Sequence, residues 1–167
     1  MMGFQAGRAG FSIAFCVMTL AVGGFGAPAS AQTSQPTPME KSTLEPLVIV
    51  NASGKHTFHV EVMRTEAQLE KGLMFQRVLP PDHGMLFDFK IAHPIMMWMK
   101  NTYLPLDMIF MSKKGIVTHI ARDARPLSET IIPSDGPAYA VLEVNAGTAK
   151  RIALKVGDKV QNEIFEK

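Results

Sequence analysis

The sequence is poor in the residues that build covalent or thiolate-based sites. Its 167 residues include one cysteine, Cys16, which lies in an apolar N-terminal stretch. If that stretch is removed on export, no cysteine remains in the mature chain. Disulfides, iron–sulfur clusters, zinc–thiolate sites and a cysteine nucleophile are then excluded, and the fold must depend on burial of apolar surface.

An excess of charge of one sign is also lacking. The chain carries 17 basic and 15 acidic residues, and loss of Arg8 with the N-terminal stretch leaves 16 basic residues. No block of like charges interrupts this balance, so the sequence gives no electrostatic footprint for nucleic acid or an anionic membrane. We therefore expect a small ligand or an envelope protein as the partner, and no nucleic acid.

The motifs of common catalysts and nucleotide-binding proteins are missing as well. The sequence has no Gly-rich phosphate loop, no Gly-x-Ser-x-Gly elbow and no His-x-x-x-His pair. We therefore predict no cofactor. An enzymatic role ranks behind a binding role because no set of nucleophile, base and orienting residue is visible.

The first 31 residues have the three parts of a secretory signal peptide. Arg8 precedes an apolar stretch, and Ala29-Ser30-Ala31 provides the small residues that signal peptidases prefer. Cleavage there would make Gln32 the first mature residue. The pattern predicts an exported protein, periplasmic or secreted, with no membrane span after cleavage.

The mature chain divides into a linker and one domain. Residues 32–45 are polar and contain two prolines, which is typical of a flexible linker. Residues 46–167 are enough for a single domain. We find no internal repeat in this region.

Alternating apolar residues predict a mainly β domain. A hairpin is expected over residues 47–63, and Thr65 followed by Gln68 forms a capping box for a short helix. A second helix is expected at about 146–154. Further short strands are expected at 85–89, 95–100, 106–111, 116–120, 138–144 and from 160 onward. The number and spacing of these strands favour a small β-sandwich or barrel with two short helices.

Several short segments follow one another in a recognisable order and spacing. They are Lys71-Gly72-Leu73-Met74-Phe75, Gly84-Met85-Leu86-Phe87, Trp98-Met99-Lys100-Asn101-Thr102, Leu104-Pro105-Leu106-Asp107, Tyr139-Ala140-Val141-Leu142-Glu143, Gly147 and Lys155-Val156-Gly157-Asp158. Together they resemble an uncharacterised bacterial and archaeal family, domain of unknown function family 192 (DUF192). The resemblance covers nearly all of residues 48–160 and implies a compact, mainly β domain that is often exported. It implies no activity and no catalytic residue.

Polar residues interrupt the most apolar runs and form the candidate binding cluster. A charged group in such a run is costly unless it is paired or solvated. In one interpretation the cluster is a pocket in which Lys100 binds an anion or carbonyl group, and Asp107 or Glu143 acts as a base. In the other, the groups pair structurally, Lys100 with Asp107 across a hairpin turn. The candidate residues are Trp98, Lys100, Asn101, Thr102, Asp107 and Glu143.

The apolar run before Lys100 suggests two further properties. Trp98 alternates with Met96 and is predicted to be largely buried. Met97 and Met99 share the other strand face, and thioethers are soft ligands suited to cuprous copper. Core packing is the more common role of methionine, so these two residues are weak candidates for a metal site.

The five histidines are spread along the chain. His56 and His59 lie three residues apart in a predicted strand, so their side chains point to opposite faces and cannot chelate one ion together. We therefore predict ordinary surface or loop histidines.

Three functions remain open. The leading interpretation is a non-enzymatic binding or accessory module of the cell envelope. The alternatives are a periplasmic cuprous copper binder and a hydrolase-like enzyme that uses Lys100 with Asp107 or Glu143.

Overall fold

A computed structural model describes residues 43–166 of the chain. The predicted signal peptide and most of the predicted linker lie outside these residues. Within them, no helix is both long and apolar enough to cross a membrane.

Seven strands form one sheet in the described part of the chain. Two short helices, α1 (Glu66–Lys71) and α2 (Thr148–Arg151), complete the fold. The mainly β class with two short helices is confirmed, in the form of one curled sheet. The strands are β1 (Glu45–Asn51), β2 (Gly54–Met63), β3 (His83–Met97), β4 (Leu106–Met111), β5 (Val117–Ala124), β6 (Ile132–Asn145) and β7 (Lys159–Gln161).

The strand order in the sheet is β5-β4-β6-β3-β2-β1-β7. Strands β2 and β3 are parallel and are connected through α1, whereas the other neighbours are antiparallel. The two edge strands approach each other, since Ile116 bridges to Lys159 and the Val117 N–H donates to the Asp158 carbonyl. The sheet is thus a half-barrel whose edges meet at one end.

The two faces of the sheet each carry an apolar core. One cluster runs from Val117 near one edge through Leu142 in the centre to Val160 at the other edge, and α2 adds Ala149. This cluster fills the inner face. The second cluster contains Phe87, Met99, Met108, Phe110 and Val141 on the outer face, where α1 and the residues after it lie.

The predicted capping box starts α1. The Thr65 hydroxyl accepts from the Gln68 N–H at 3.3 Å, and the Gln68 side-chain oxygen accepts from the Thr65 N–H at 3.0 Å. Together they satisfy two of the N–H groups left free at a helix start. This local signal is sufficient to place the helix even though it has only 6 residues.

The bounds of two strands and one helix differ from the sequence-based prediction. The segments 85–89 and 95–100 largely belong to one strand, β3, which ends at Met97. Its pairing with β6 shifts register between Asp88 and His93 and again between Pro94 and Met96. Strand β6 begins at Ile132, well before the expected start at residue 138. The second helix is limited to the four residues of α2.

Candidate functional site

A cleft of about 750 Å³ opens on the outer face of the sheet. Its walls come from α1 with the following turn (66–75) and from the segment 96–102 after the irregular part of β3. Phe87 and Phe89 of β3 and Glu143 of β6 also line it. Small-molecule sites in proteins have volumes of roughly 300–1,000 Å³ and mostly apolar walls, so the cleft has the size and character of a ligand site.

Gly72 allows the turn after α1 to lie directly on the sheet. Its φ is +46°, and a Cβ at this position would stand 2.8 Å from Cζ of Phe87 and 3.9 Å from Oε2 of Glu143. A side chain would therefore both strain the backbone and collide with the Phe87 ring. The glycine of the family segment Lys71–Phe75 is explained by this close approach.

Asn101 and Thr102 build the turn that forms the opposite wall. The carbonyl of Asn101 accepts from the Phe75 N–H at 2.9 Å, which joins the two walls. Asn101 has a φ of 55°, a left-handed conformation that asparagine tolerates better than most residues. The Thr102 hydroxyl donates to the Lys100 carbonyl at 3.2 Å. Both residues thus fix the position of the wall.

Trp98 and Lys100 occupy the rim of the cleft. The Trp98 side chain is 43% exposed, so the prediction that it is largely buried was wrong. The strand ends at Met97, and the alternation that suggested burial has no sheet to continue into. Nζ of Lys100 lies 5.1 Å from the centre of the Trp98 ring, within the range of a cation–π contact. The rim therefore offers an aromatic face and a positive charge.

Glu143 is the buried polar group of the cleft. It is only 4% exposed and lies opposite Met85 and Met108 on the neighbouring strands. Within residues 43–166 its carboxyl group makes no hydrogen bond and no ion pair. Burial in these surroundings raises the pKa of Glu143 from 4.5 to about 8, because the charged form loses its hydration. At neutral pH the carboxyl is mostly a neutral hydrogen-bond donor.

Asp107 does not line the cleft with the other candidate residues. It faces Val144 in the register between β4 and β6, whereas Glu143 faces Met108 one position along, so the two side chains point to opposite faces of the sheet. Asp107 is fully buried on the inner face. Its Oδ1 accepts from the Asp123 N–H at 3.0 Å and its Oδ2 from the Ala149 N–H at 2.8 Å.

The expected pairing of Lys100 with Asp107 is therefore corrected. Among the described residues Lys100 forms no ion pair, and the acceptor atoms of Asp107 are used by backbone donors of β5 and α2. These two hydrogen bonds connect β5 and α2 to β4. The polar set from the sequence thus divides into a cleft group, Trp98, Lys100, Asn101, Thr102 and Glu143, and a structural aspartate.

The two methionines suggested as soft-metal ligands have packing roles. Met99 is fully buried in the outer core, and Met97 is partly buried against the same cluster. Their position explains both residues without a metal. Phe87 and Phe89, which form the apolar part of the cleft, were not recognised as site residues from the sequence, although Phe87 ends one of the family segments.

The family assignment follows from a profile comparison. Residues 48–162 match the profile of DUF192, described as uncharacterized ACR. The chain belongs to the DUF192 family. The match spans the whole of the sheet except the first residues of β1, and it includes both walls of the cleft.

Two solved structures are similar to this DUF192 protein. One, from Sinorhizobium meliloti 1021, is described as a "putative transcription regulator"; it is 46% identical over 74% of this chain and 97% of its own, with a TM-score of 0.72. The other, from Novosphingobium aromaticivorans DSM 12444, is described as a protein of unknown function; it is 39% identical over 82% of this chain and 99% of its own, also with a TM-score of 0.72. No curated protein matches the chain.

Proposed function

We propose that this DUF192 protein is a non-enzymatic binding module of the cell envelope that takes a small organic acid into the outer cleft. One observation carries the proposal: Glu143 is buried, lacks a protein partner among the described residues and reaches into a cleft of ligand size. A carboxyl group that is 4% exposed and has no protein partner is poorly hydrated. A bound ligand would provide the missing hydrogen bond.

The chemistry of the walls defines the ligand class. Phe87 and Phe89 offer an apolar surface for a ring or a short alkyl chain, and Trp98 provides an aromatic face at the rim. Lys100 would attract an anionic head group, and the neutral Glu143 carboxyl would donate to one of its oxygens. A monoanionic carboxylate with an apolar body satisfies all of these groups.

Export is the second part of the proposal. It is supported by the basic start, the apolar stretch and Ala29-Ser30-Ala31 in the sequence. Expressed in a bacterial host, the full chain should appear in the periplasmic or extracellular fraction with an intact mass that begins at Gln32. A full-length mass in the cytoplasmic fraction, or a lipid adduct on Cys16, would contradict this part.

The description of one similar structure as a transcription regulator does not change the proposal. A DNA-binding surface requires clustered basic side chains. The near balance of charge in this chain and its scattered lysines and arginines favour a small ligand over nucleic acid.

Binding can be followed with the protein's own fluorescence, because Trp98 is the single tryptophan and lies at the rim of the cleft. We expect benzoate, phenylacetate or octanoate to change Trp98 emission saturably, and benzamide to bind more weakly than benzoate. Lys100→Met should weaken binding of the carboxylates about tenfold, since a charge-assisted hydrogen bond contributes about 1.5 kcal/mol or more. The same substitution should leave the affinity for benzamide unchanged.

Two controls make the titration specific. Lys55→Met removes an exposed lysine from the β1–β2 hairpin and should leave affinity unchanged. Glu143→Leu should abolish carboxylate binding, whereas Glu143→Gln, which still donates a hydrogen bond, should retain part of it. Equal affinities in Lys100→Met, Lys55→Met and Glu143→Leu would rule out this cleft as the site.

A general acid–base role of Glu143 is the second candidate function. A carboxyl group with a pKa of about 8 in an open cleft is suited to proton transfer near neutral pH. Asp107 has no part in this candidate because its oxygens are bound to backbone N–H groups. Turnover of an ester or amide substrate that is lost in Glu143→Gln would favour catalysis over binding.

A further inference from the structure

His59, Asp82 and His83 come together on the surface at the start of β3. One ring nitrogen from each histidine and one carboxylate oxygen lie within 4.8 Å of one another. In an ion-bound site with metal–ligand bonds near 2.1 Å, such atoms stand roughly 3–3.5 Å apart. Small rotations of exposed side chains are enough to close that difference.

The backbone holds these three residues in place. His59 of β2 is the register partner of His83 of β3, and the two strands are the parallel pair of the sheet. The His59 N–H donates to the Asp82 carbonyl at 2.9 Å, and the His83 N–H donates to the Pro80 carbonyl at 3.0 Å. The ligand atoms therefore project from a rigid frame, which lowers the entropic cost of binding an ion.

The side chains are already oriented around a common point. The carboxylate of Asp82 lies between the rings, with Oδ1 2.9 Å from Nδ1 of His83 and Oδ2 3.7 Å from Nδ1 of His59. All three side chains are at least a quarter exposed, which leaves room for water as further ligands.

We propose that His59, Asp82 and His83 form a binding site for a divalent late first-row transition ion such as Zn²⁺. Two imidazoles and one carboxylate are the donor set that such ions accept, with water in the remaining positions. The strand register brings together two histidines that lie far apart in the sequence. His59 pairs with a histidine 24 positions away in the sequence, beyond the α1 connection, and not with His56.

The ion would join the two ends of the β2–α1–β3 connection. His59 lies shortly before this connection and Asp82 and His83 lie at its end. Because the site is formed only in the folded chain, ion binding should raise the melting temperature by mass action. The metal site is separate from the cleft and from the proposed organic ligand.

The test is a titration of tag-free protein with Zn²⁺ in competition with a chromogenic chelator, together with ¹H–¹⁵N spectra of the histidine rings. We expect one ion per chain, a rise in melting temperature, and ring resonances that move for His59 and His83 and not for His93. His59→Ala, His83→Ala and Asp82→Asn should each weaken Zn²⁺ binding at least about tenfold.

The matched control is His93→Ala. His93 is exposed, its Nδ1 lies 2.8 Å from the Pro94 carbonyl, and no carboxylate among residues 43–166 pairs with it. Its removal should leave Zn²⁺ affinity unchanged. The proposal is overturned if the wild-type protein does not bind Zn²⁺, if His59→Ala and His83→Ala bind it as tightly as wild type, or if the ring resonances that move belong to other histidines.

Discussion

Replacement of Asp107 with alanine is expected to lower the free energy of unfolding by about 3–5 kcal/mol. The change leaves the N–H groups of Asp123 and Ala149 without their acceptors. The Ala149 N–H is buried, and an unsatisfied buried donor costs about 1–3 kcal/mol, whereas water can reach the partly buried Asp123 N–H. The missing carboxyl also leaves a void in a fully buried position. Urea unfolding followed by far-UV circular dichroism measures the loss.

Glu129→Ala is the matched control for this change. Glu129 is an exposed carboxylate in the loop before β6, and its removal should alter stability by less than about 0.5 kcal/mol. If both variants lost a similar amount of unfolding free energy, the hydrogen bonds of Asp107 to β5 and α2 would have no special role in stability.

The same experiment distinguishes a structural Asp107 from an ion pair with Lys100. Lys100→Met should cost less than about 1 kcal/mol, because its ammonium group is partly solvated at the rim of the cleft. Since the two residues do not meet, the double variant should lose the sum of the single losses to within about 0.5 kcal/mol. A coupling energy well above this value would restore the pairing expected from the sequence.

Between about pH 4.5 and pH 8, ionisation of Glu143 is expected to lower the free energy of unfolding of the wild-type protein. The Glu143→Gln variant should lack this contribution. The pKa of Glu143 is raised on folding from 4.5 to about 8, so the folded state binds the proton more tightly than the unfolded chain. The resulting stability is fully present below about pH 4.5. It is lost progressively as the pH rises and is gone above about pH 8.

The loss of stability expected from Glu143 alone is on the order of 5 kcal/mol across that range. The informative quantity is the difference in unfolding free energy between wild type and Glu143→Gln, because the contributions of the other ionisable groups cancel in it. This difference should change with pH at up to about 1.4 kcal/mol per pH unit and level off above about pH 8. Parallel curves for the two proteins would show that Glu143 has an ordinary pKa.

Local sequence signals predicted the elements, and long-range pairing determined which side chains meet. Thr65 and Gln68 predicted the start of α1 because a capping box involves only neighbouring residues. Glu143 was recognisable as an acid in an apolar strand. Its separation from Asp107 depends on the register between β4 and β6, which no short segment encodes.

The incorrect or missed predictions also depend on where strands end and how they pair. Trp98 was expected to be buried because alternation was extended past Met97, where β3 in fact ends. The pair of His59 and His83 could not be found from spacing because parallel strands require a long connection between them. The cleft depends on Gly72, whose role is visible only once the turn after α1 lies on Phe87.

The most direct measurement is an NMR titration of the Glu143 side-chain carboxyl carbon against pH, with and without saturating benzoate. In the free protein the resonance should titrate near pH 8. Bound benzoate should raise that pKa further, because the ligand accepts a hydrogen bond from the neutral acid and repels its ionised form. A Glu143 resonance that titrates near pH 4.5 and does not respond to benzoate would contradict a neutral acid that receives a ligand in this cleft.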